Sequence, residues 1–153
     1  EYYENMLREI ASQYPQQLAL FVAFDNPLAH LIYAGCDTFL MPSRFEPCGL
    51  GQLIAMRYGS LPVVRHTGGL IDTVPELTPD LERGSGFVFQ DYAPEALITT
   101  VKRAAEAFKN KPAWHRAMQR VMGLDFSWQA SARKYEAAYH QALEARKQAN
   151  ISN

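Results

Sequence analysis

The sequence lacks the features that mark several large classes of protein. It holds only two cysteines, Cys36 and Cys48, which have no metal-ligand spacing and are expected to be free thiols in a reducing compartment. No apolar run approaches the ~20 residues that cross a bilayer, and no signal peptide is recognisable. The 15 basic and 16 acidic residues leave a net charge of -1, without the basic stripe of a nucleic-acid binder. We therefore expect neither a membrane nor a nucleic acid as a partner.

Motifs for metals and for common nucleotide cofactors are also missing. The four histidines, His30, His66, His115 and His140, lie far apart and show no metal-ligand spacing. The chain contains no Walker A sequence, no G-x-G-x-x-G pattern and no serine nucleophile elbow. The sequence therefore predicts no metal and no cofactor. His66, which flanks a glycine turn, is the histidine least easily explained as a plain structural residue.

The sequence does have an alternation of apolar segments that is typical of an α/β protein. Of its 153 residues 48% are apolar, enough for one globular domain with a sizeable core. Continuous apolar runs predict buried parallel strands, and apolar residues at helical spacing predict the helices between them. The predicted strands are Leu18–Phe24, Thr38–Met41, Leu61–Arg65 and Gly86–Phe89. The predicted helices cover residues 2–14, 28–34 and 50–58, two segments after Asp91, and a long segment after Ser127.

This order of elements predicts a Rossmann-like parallel sheet with flanking helices and further C-terminal helices. Residues 1–126 are assigned to the Rossmann-like domain, and residues 127–153 to a long helix with a polar tail that packs back on it. Because right-handed crossovers place the carboxyl ends of parallel strands at one edge, the loops after the four strands should open on the same side. That edge is the expected ligand site. The start at Glu1, inside a helical pattern and without methionine, indicates a piece of a longer protein.

The stretch Met41–Gln52 is the strongest candidate for a site. A short apolar strand ends at Pro42, and an arginine, a carboxylate and a glycine-bracketed turn then lead into a helix. The first amides of a helix have no partner within the helix, and its dipole favours an anion there. The stretch therefore predicts a site for a phosphate-bearing ligand, with the Glu46 carboxylate beside it.

The residues of this stretch also have plainer explanations. Glu46 either holds a sugar hydroxyl or stabilises developing positive charge, or it is a surface turn residue or the ion partner of Arg44. Arg44 either binds phosphate bidentately or simply pairs with Asp37 or Glu46. Gly49 and Gly51 either let a phosphate approach the backbone or supply a turn that needs positive φ. The residues alone leave these alternatives open.

A second glycine turn and an aromatic residue lie at the same predicted edge. Thr67, Gly68 and Gly69 form a candidate anion-binding turn, although a tight connection between strand and helix explains them equally well. Phe24 ends the first predicted strand, where its ring either stacks on a nucleobase or belongs to the core.

The longest motif resembles a known family. Met-Pro-Ser-Arg-Phe-Glu-Pro-Cys-Gly-Leu-Gly-Gln-Leu, followed by Met-Arg-Tyr-Gly, Leu-Pro-Val-Val-Arg and Thr-Gly-Gly-Leu-Ile-Asp-Thr-Val, is similar to the bacterial glycogen synthases and plant starch synthases. Asp125-Phe126-Ser127-Trp128 resembles them too. The resemblance covers nearly the whole chain, and its contiguous part, from Pro42 to Asp72, is highly specific.

The resemblance implies a two-domain glycosyltransferase of the GT-B type, with this chain as most of its C-terminal, nucleotide-sugar-binding half. It implies metal-free, retaining transfer of glucose from ADP-glucose, or UDP-glucose, to the 4-hydroxyl end of an α-1,4-glucan. Glu46 would be the catalytic residue that reaches the donor glucose, and Phe24 would stack near the adenine. Backbone amides around Cys48, Gly49 and Leu50 would contact the sugar and the phosphates. The expected compartment is the bacterial cytoplasm, with a plastid as the alternative.

The chain also departs from the family's pattern. Many relatives carry threonine where this chain has Gly51, so one hydroxyl donor to phosphate is missing. The family's Arg and Lys that grip the diphosphate, and the N-terminal domain with the acceptor groove, would lie upstream of Glu1. In the doubly wound order, two absent strands would separate Leu18–Phe24 from Thr38–Met41. We therefore expect this chain by itself to be unstable and inactive.

Two other functions stay open as alternatives. One is a non-catalytic module that binds a nucleotide sugar, and the other is a GT-B transferase with a different donor. The intact run from Arg44 to Gly49 favours a catalytic role, because a binding module has no evident need for the carboxylate. Nothing in the chain resembles a pyridoxal-phosphate lysine site, which disfavours a phosphorylase-like enzyme.

Overall fold

The structure, a computed structural model, describes residues 1–151, and the side chains of residues 1–148. The chain divides into two compact units, Glu1–Ile32 and the part from Tyr33 onward. No helix among the described residues is long and apolar enough to span a membrane. The elements are α1 (Tyr2–Gln13), α2 (Asn26–Gly35), β1 (Thr38–Met41), α3 (Gly51–Arg57), β2 (Leu61–Arg65), α4 (Leu70–Thr73), β3 (Phe87–Phe89), α5 (Pro94–Ala107), α6 (Lys111–Met122) and α7 (Trp128–Ile151).

The first unit contains α1 and most of α2. On α1, Glu4 and Arg8 form an exposed ion pair one turn apart, with an N–O distance of 2.7 Å. The Asp25 carboxylate accepts a hydrogen bond from the Leu28 amide at 2.9 Å, so it caps the start of α2.

The strand predicted over Leu18–Phe24 is wrong. These residues form no strand, and Phe21 and Val22 are 58% and 49% exposed. A β-strand makes its backbone hydrogen bonds to a neighbouring strand, and residues 1–32 contain none. An apolar run without a neighbouring strand cannot form the hydrogen bonds of a sheet, even when its side chains favour the β conformation.

The second unit contains a parallel sheet of three strands in the order β1-β2-β3. Thr38 pairs with Leu61 across the first ladder, and Val63 pairs with Phe87 across the second. The central strand β2 has four buried residues in succession, which explains its continuous apolar sequence. In contrast, Leu40 of the edge strand β1 is 50% exposed. The predicted α/β class with a parallel sheet and flanking helices is confirmed.

Helices α3, α5 and α6 pack on the sheet and share its core. Trp114 of α6 is fully buried, and its ring centroid lies 6.0 Å from that of Phe87 and 5.1 Å from that of Phe108. The Asn110 side chain caps α6 by accepting a hydrogen bond from the Ala113 amide at 3.3 Å.

The predicted long helix after Ser127 is confirmed as α7. The Ser127 hydroxyl caps it by accepting a hydrogen bond from the Ala130 amide at 3.2 Å. Hydrogen bonds from the Ser127 side chain and amide hold the pKa of Asp125 below its ordinary value. None of the described side chains of α7 is buried, and Trp128 is 87% exposed.

Candidate functional site

The loops after β1, β2 and β3 lie together at one edge of the sheet. The Gly69 amide, after β2, donates to the Glu46 carbonyl, after β1, at 3.1 Å. The His66 amide donates to the Phe89 carbonyl at the end of β3, at 2.8 Å. The prediction that these three loops share one side of the sheet is confirmed. The fourth loop, near Asp25, belongs to the first unit.

The turns after β1 and β2 pack backbone against backbone. Gly68 has a φ of +50°, and a Cβ atom on it would lie 1.7 Å from the Glu46 carbonyl oxygen. A Cβ atom on Gly69 would lie 2.6 Å from the Cys48 carbonyl oxygen. Both positions therefore require glycine. The sequence suggested two separate turns, but the structure makes them one packed unit.

The Gln52 side chain makes hydrogen bonds to the backbone of the turn after β1. It is fully buried on α3, and its Nε2 donates to the carbonyls of Cys48 at 3.2 Å and Gly49 at 2.9 Å. Nε2 also donates to Thr73 Oγ1 at 3.2 Å. Gly49 has a φ of +78°, and a Cβ atom on it would lie 2.5 Å from Gln52 Oε1. The backbone of this turn therefore packs directly against the side-chain amide of Gln52.

Glu46 lies on the packed turn with its side chain half-buried. Its Oε2 accepts a hydrogen bond from Ser43 Oγ at 3.3 Å. Among the described side chains it forms no ion pair, so the alternative in which Glu46 neutralises Arg44 is not seen. A carboxylate that is held by a hydroxyl and not by a cation keeps its negative charge available to a ligand.

Two guanidinium groups lie beside one aromatic ring near this turn. Arg44 Cζ is 5.8 Å from the ring centroid of Tyr92 and 5.5 Å from that of Phe45, and Arg65 Cζ is 5.4 Å from that of Tyr92. Arg65 Nη1 donates to the carbonyls of Arg44 at 2.9 Å and Ser43 at 3.4 Å. Both cations therefore lie beside the same ring, and Arg65 also holds the loop that carries Glu46 through its hydrogen bonds to that backbone.

The start of α3 leaves backbone amides without a side-chain cap. Leu50 is the N-cap residue, 67% exposed, and its side chain makes no capping hydrogen bond. A Cβ atom on Gly51 would lie 3.1 Å from the Phe39 ring and 3.4 Å from Tyr33 Oη. A larger residue at this position would come too close to the Phe39 ring, and this contact is a packing reason for glycine here.

The other predicted residues are placed as follows. Thr67 is half-buried in the turn after β2, where its amide donates to the Arg65 carbonyl at 2.9 Å. Cys36 and Cys48 are free thiols, as predicted. Phe24 is in the first unit and is 98% exposed. No cluster of three or more His, Cys, Asp or Glu side chains suited to a metal ion occurs in the described part of the chain.

Four residues that contribute to this arrangement were missed in the sequence. Gln52 and Thr73 join the two turns, and Arg65 and Tyr92 flank Arg44. The signal for Gln52 was a polar residue in the first turn of a helix that is otherwise largely apolar. The signal for Arg65 was a cation at the end of an apolar strand. Thr73 and Tyr92 carried no signal of their own, since their roles depend on distant parts of the chain.

Comparison with known proteins finds that the chain is similar to glycogen synthases and to a starch synthase. It is 50% identical over 150 residues to the glycogen synthase of Moorella thermoacetica, and 49% identical over 144 residues to that of Koribacter versatilis. A solved structure, the catalytic domain of starch synthase IV from Arabidopsis thaliana bound to ADP and acarbose, superposes with a TM-score of 0.76 at 37% identity. No protein-family model matches the chain.

The matches cover nearly all of this chain but only part of each relative. They span 97% of this chain and 31% of the Moorella protein, 94% and 30% for the Koribacter protein, and 92% and 30% for the plant enzyme. Sucrose-phosphate synthase from Thermosynechococcus elongatus, at 23% identity and a TM-score of 0.60 over 94% of this chain and 35% of that one, supports the fold alone. The chain thus spans about a third of the length of the relatives it matches.

Proposed function

Since the chain is a homologue of the glycogen and starch synthases over the segment that it spans, we propose that it forms the donor-binding part of a retaining glucosyltransferase. The donor is ADP-glucose, or UDP-glucose, and the acceptor is the non-reducing end of an α-1,4-glucan. The observation that carries this proposal is the half-buried Glu46 carboxylate, which lies at the strand-end edge on a turn fixed by the Gly69 amide.

Glu46 acts on the glucose of the donor. When the bond between the sugar and the diphosphate breaks, positive charge develops at the anomeric carbon. A carboxylate that is not neutralised by a cation stabilises this charge more in the transition state than in the ground state, which raises kcat. The fixed backbone at Cys48 and Gly49 keeps the carboxylate from having to reorganise during the reaction.

The leaving diphosphate needs positive charge and hydrogen-bond donors. The Arg44 guanidinium makes no ion pair among the described side chains and, like that of Arg65, lies beside the Tyr92 ring. Uncapped amides at the start of α3 supply neutral donors. In the turn Thr67–Gly69 the neutral donors are the Thr67 hydroxyl and the Gly68 amide, since the Thr67 and Gly69 amides already donate to backbone carbonyls. Phe24 is assigned to stacking on the base. We propose that the remaining cations, and the acceptor groove, belong to a longer chain acting in the bacterial cytoplasm.

The proposal is tested in the full-length chain that contains these residues. Glucose transfer to a glycogen primer is measured with ADP-glucose and with UDP-glucose, for the wild type and for Glu46→Gln, which removes the charge and keeps the shape. We expect kcat of the variant to fall by about 10²-fold or more. Glu106→Gln is the matched control, because Glu106 is an exposed carboxylate on α5 paired with Lys109, and its activity should equal that of the wild type.

The outcomes separate the functions. Near-normal kcat in Glu46→Gln would contradict the role of the carboxylate. Binding of a nucleotide sugar without any transfer would support a non-catalytic module instead. We also expect the 153-residue chain alone to give no transfer, and a cooperative, active fragment would contradict the division of the site between this chain and upstream residues.

A further inference from the structure

Thr73, the last residue of α4, makes side-chain hydrogen bonds toward both turns of the candidate site. Its Oγ1 donates to the Gly69 carbonyl at 2.8 Å and accepts from Gln52 Nε2 at 3.2 Å. Gly69 is also the residue whose amide donates to the Glu46 carbonyl at 3.1 Å. One hydroxyl therefore lies between the turn after β2 and the side chain that holds the turn after β1.

These hydrogen bonds form a closed ring. One path runs from Thr73 through Gly69 to the Glu46 carbonyl. The other runs from Thr73 through Gln52 to the Cys48 carbonyl, two residues after Glu46. The backbone between Glu46 and Cys48 completes the ring. The Gln52 residue is fully buried and its hydrogen bonds to Thr73 and Cys48 are partly buried, and in such surroundings neighbouring hydrogen bonds strengthen one another.

We infer that Thr73 is a positioning residue, whose hydroxyl fixes the backbone from which Glu46 projects. The inference rests on the proposed function of Glu46, and it adds a residue that acts on the reaction only through others. In a closed ring the two hydrogen-bonded contacts to the turn, from Gly69 and from Gln52, also limit each other's movement, whereas in an open ring the two contacts act separately. Rates depend steeply on placement, since a displacement of about 1 Å can lower them about 10²-fold.

Loss of the hydroxyl should loosen the turn without unfolding the protein. The Gly69 carbonyl would keep its hydrogen bond from the Thr73 amide, at 3.2 Å. Gln52 Nε2 would keep both of its backbone acceptors. The ring would open only at the link between Thr73 and Gln52 and at the side-chain link to Gly69. We therefore expect the effect on activity to exceed the effect on stability.

Two variants of Thr73 in the full-length chain test the inference. Thr73→Val replaces the hydroxyl by a methyl group of similar size, and Thr73→Ser keeps the hydroxyl and removes the methyl group. We expect Thr73→Val to lower kcat about tenfold while the KM for the nucleotide sugar changes by less than about twofold. Thr73→Ser should restore kcat to near the wild-type value. If Thr73→Val is too unstable to assay, Thr73→Ala replaces it in the same comparison.

Hydrogen exchange gives a readout that does not depend on activity. Peptides spanning residues 67–71 report the Gly69 amide, whose exchange should be faster in Thr73→Val and near the wild-type rate in Thr73→Ser. Thr100→Val is the matched control, since Thr100 is also buried (3% exposed) but lies on α5. In Thr100→Val the exchange rate of the Gly69 amide and kcat should both equal those of the wild type, even if the variant is less stable.

The outcomes distinguish this inference from the proposed function. If the wild type transfers glucose and Thr73→Val matches Thr73→Ser in kcat and in Gly69 exchange, the inference is overturned. If the wild type transfers no glucose, the proposed function is refuted, and the exchange at Gly69 alone decides whether Thr73 positions the turn. A tenfold loss that serine also fails to restore would assign the effect to the methyl group and would overturn the role of the hydroxyl.

Discussion

Replacing Gly68 by alanine should force the two turns of the site apart. The added Cβ would lie 1.7 Å from the Glu46 carbonyl oxygen, whereas ordinary contacts begin at 3.4 Å, so the backbones must separate by 3.4 - 1.7 = 1.7 Å. That separation breaks the hydrogen bond from the Gly69 amide to Glu46, which contributes about 1 kcal/mol. Alanine at a φ of +50° adds roughly 1–2 kcal/mol. We expect a loss of about 2–3 kcal/mol in the free energy of unfolding.

The same displacement of the turn should also lower the rate of glucose transfer. Because Glu46 lies on the turn that moves, kcat should fall about 10²-fold. Urea unfolding gives the loss of stability, and glucose transfer by the full-length chain gives the loss of rate. Gly68→Ala should bind the nucleotide sugar more weakly than the wild type as well, because the amides of the turn move with Glu46.

Two glycines elsewhere in the chain are matched controls. Gly84 has a φ of +83°, and a Cβ atom on it would lie 2.0 Å from the Glu76 carbonyl oxygen, so Gly84→Ala creates a similar clash outside the site. It should lower stability and leave kcat near the wild-type value. A Cβ atom on Gly35 would meet no atom within 4 Å outside its own helix backbone, so Gly35→Ala should leave kcat unchanged and should not lower stability. Equal kcat in Gly68→Ala and Gly84→Ala would refute the reasoning.

Two further predictions concern stability. Trp114→Ala should destabilise the chain by about 3–5 kcal/mol in urea unfolding, since the ring is fully buried between Phe87 and Phe108; a loss below 1 kcal/mol would contradict this core. Because Ser127 lowers the pKa of Asp125, this carboxylate stabilises the folded chain above its ordinary value of 3.8 and loses that effect as the pH falls through the lowered value. The stability difference between the wild type and Asp125→Ala should therefore shrink on acidification below pH 3.8, and a difference that grows there would contradict the prediction.

The strands could be predicted from the sequence wherever the apolar run has a neighbouring strand in the sheet. The runs at Thr38–Met41 and Leu61–Arg65 form strands at those bounds, and the run at Gly86–Phe89 forms a strand one residue shorter. The run at Leu18–Phe24 is apolar throughout but forms no strand. Side-chain hydrophobicity is a local property, whereas a ladder of hydrogen bonds requires a neighbour that the local sequence does not specify.

For the site, the sequence indicated the residues but not their relation. The run from Arg44 to Gly49 and the turn Thr67–Gly69 were both predicted as ligand-binding turns. That a Gly68 Cβ would overlap the Glu46 carbonyl depends on two loops that are separated in the chain and meet only at the sheet edge. No spacing along the sequence reports such a contact.

The sequence by itself indicated the class of the fold, the resemblance to glycogen and starch synthases, and the stretch Met41–Gln52 as the candidate site, because periodicity and motifs are local. Tertiary structure alone decided that Glu46 is held by a turn from another strand, with Thr73 and Gln52 between them. The physical reason is that a hydrogen bond acts over about 3 Å in space and takes no account of distance along the chain. A residue such as Thr73 therefore acquires its role only when the chain is folded.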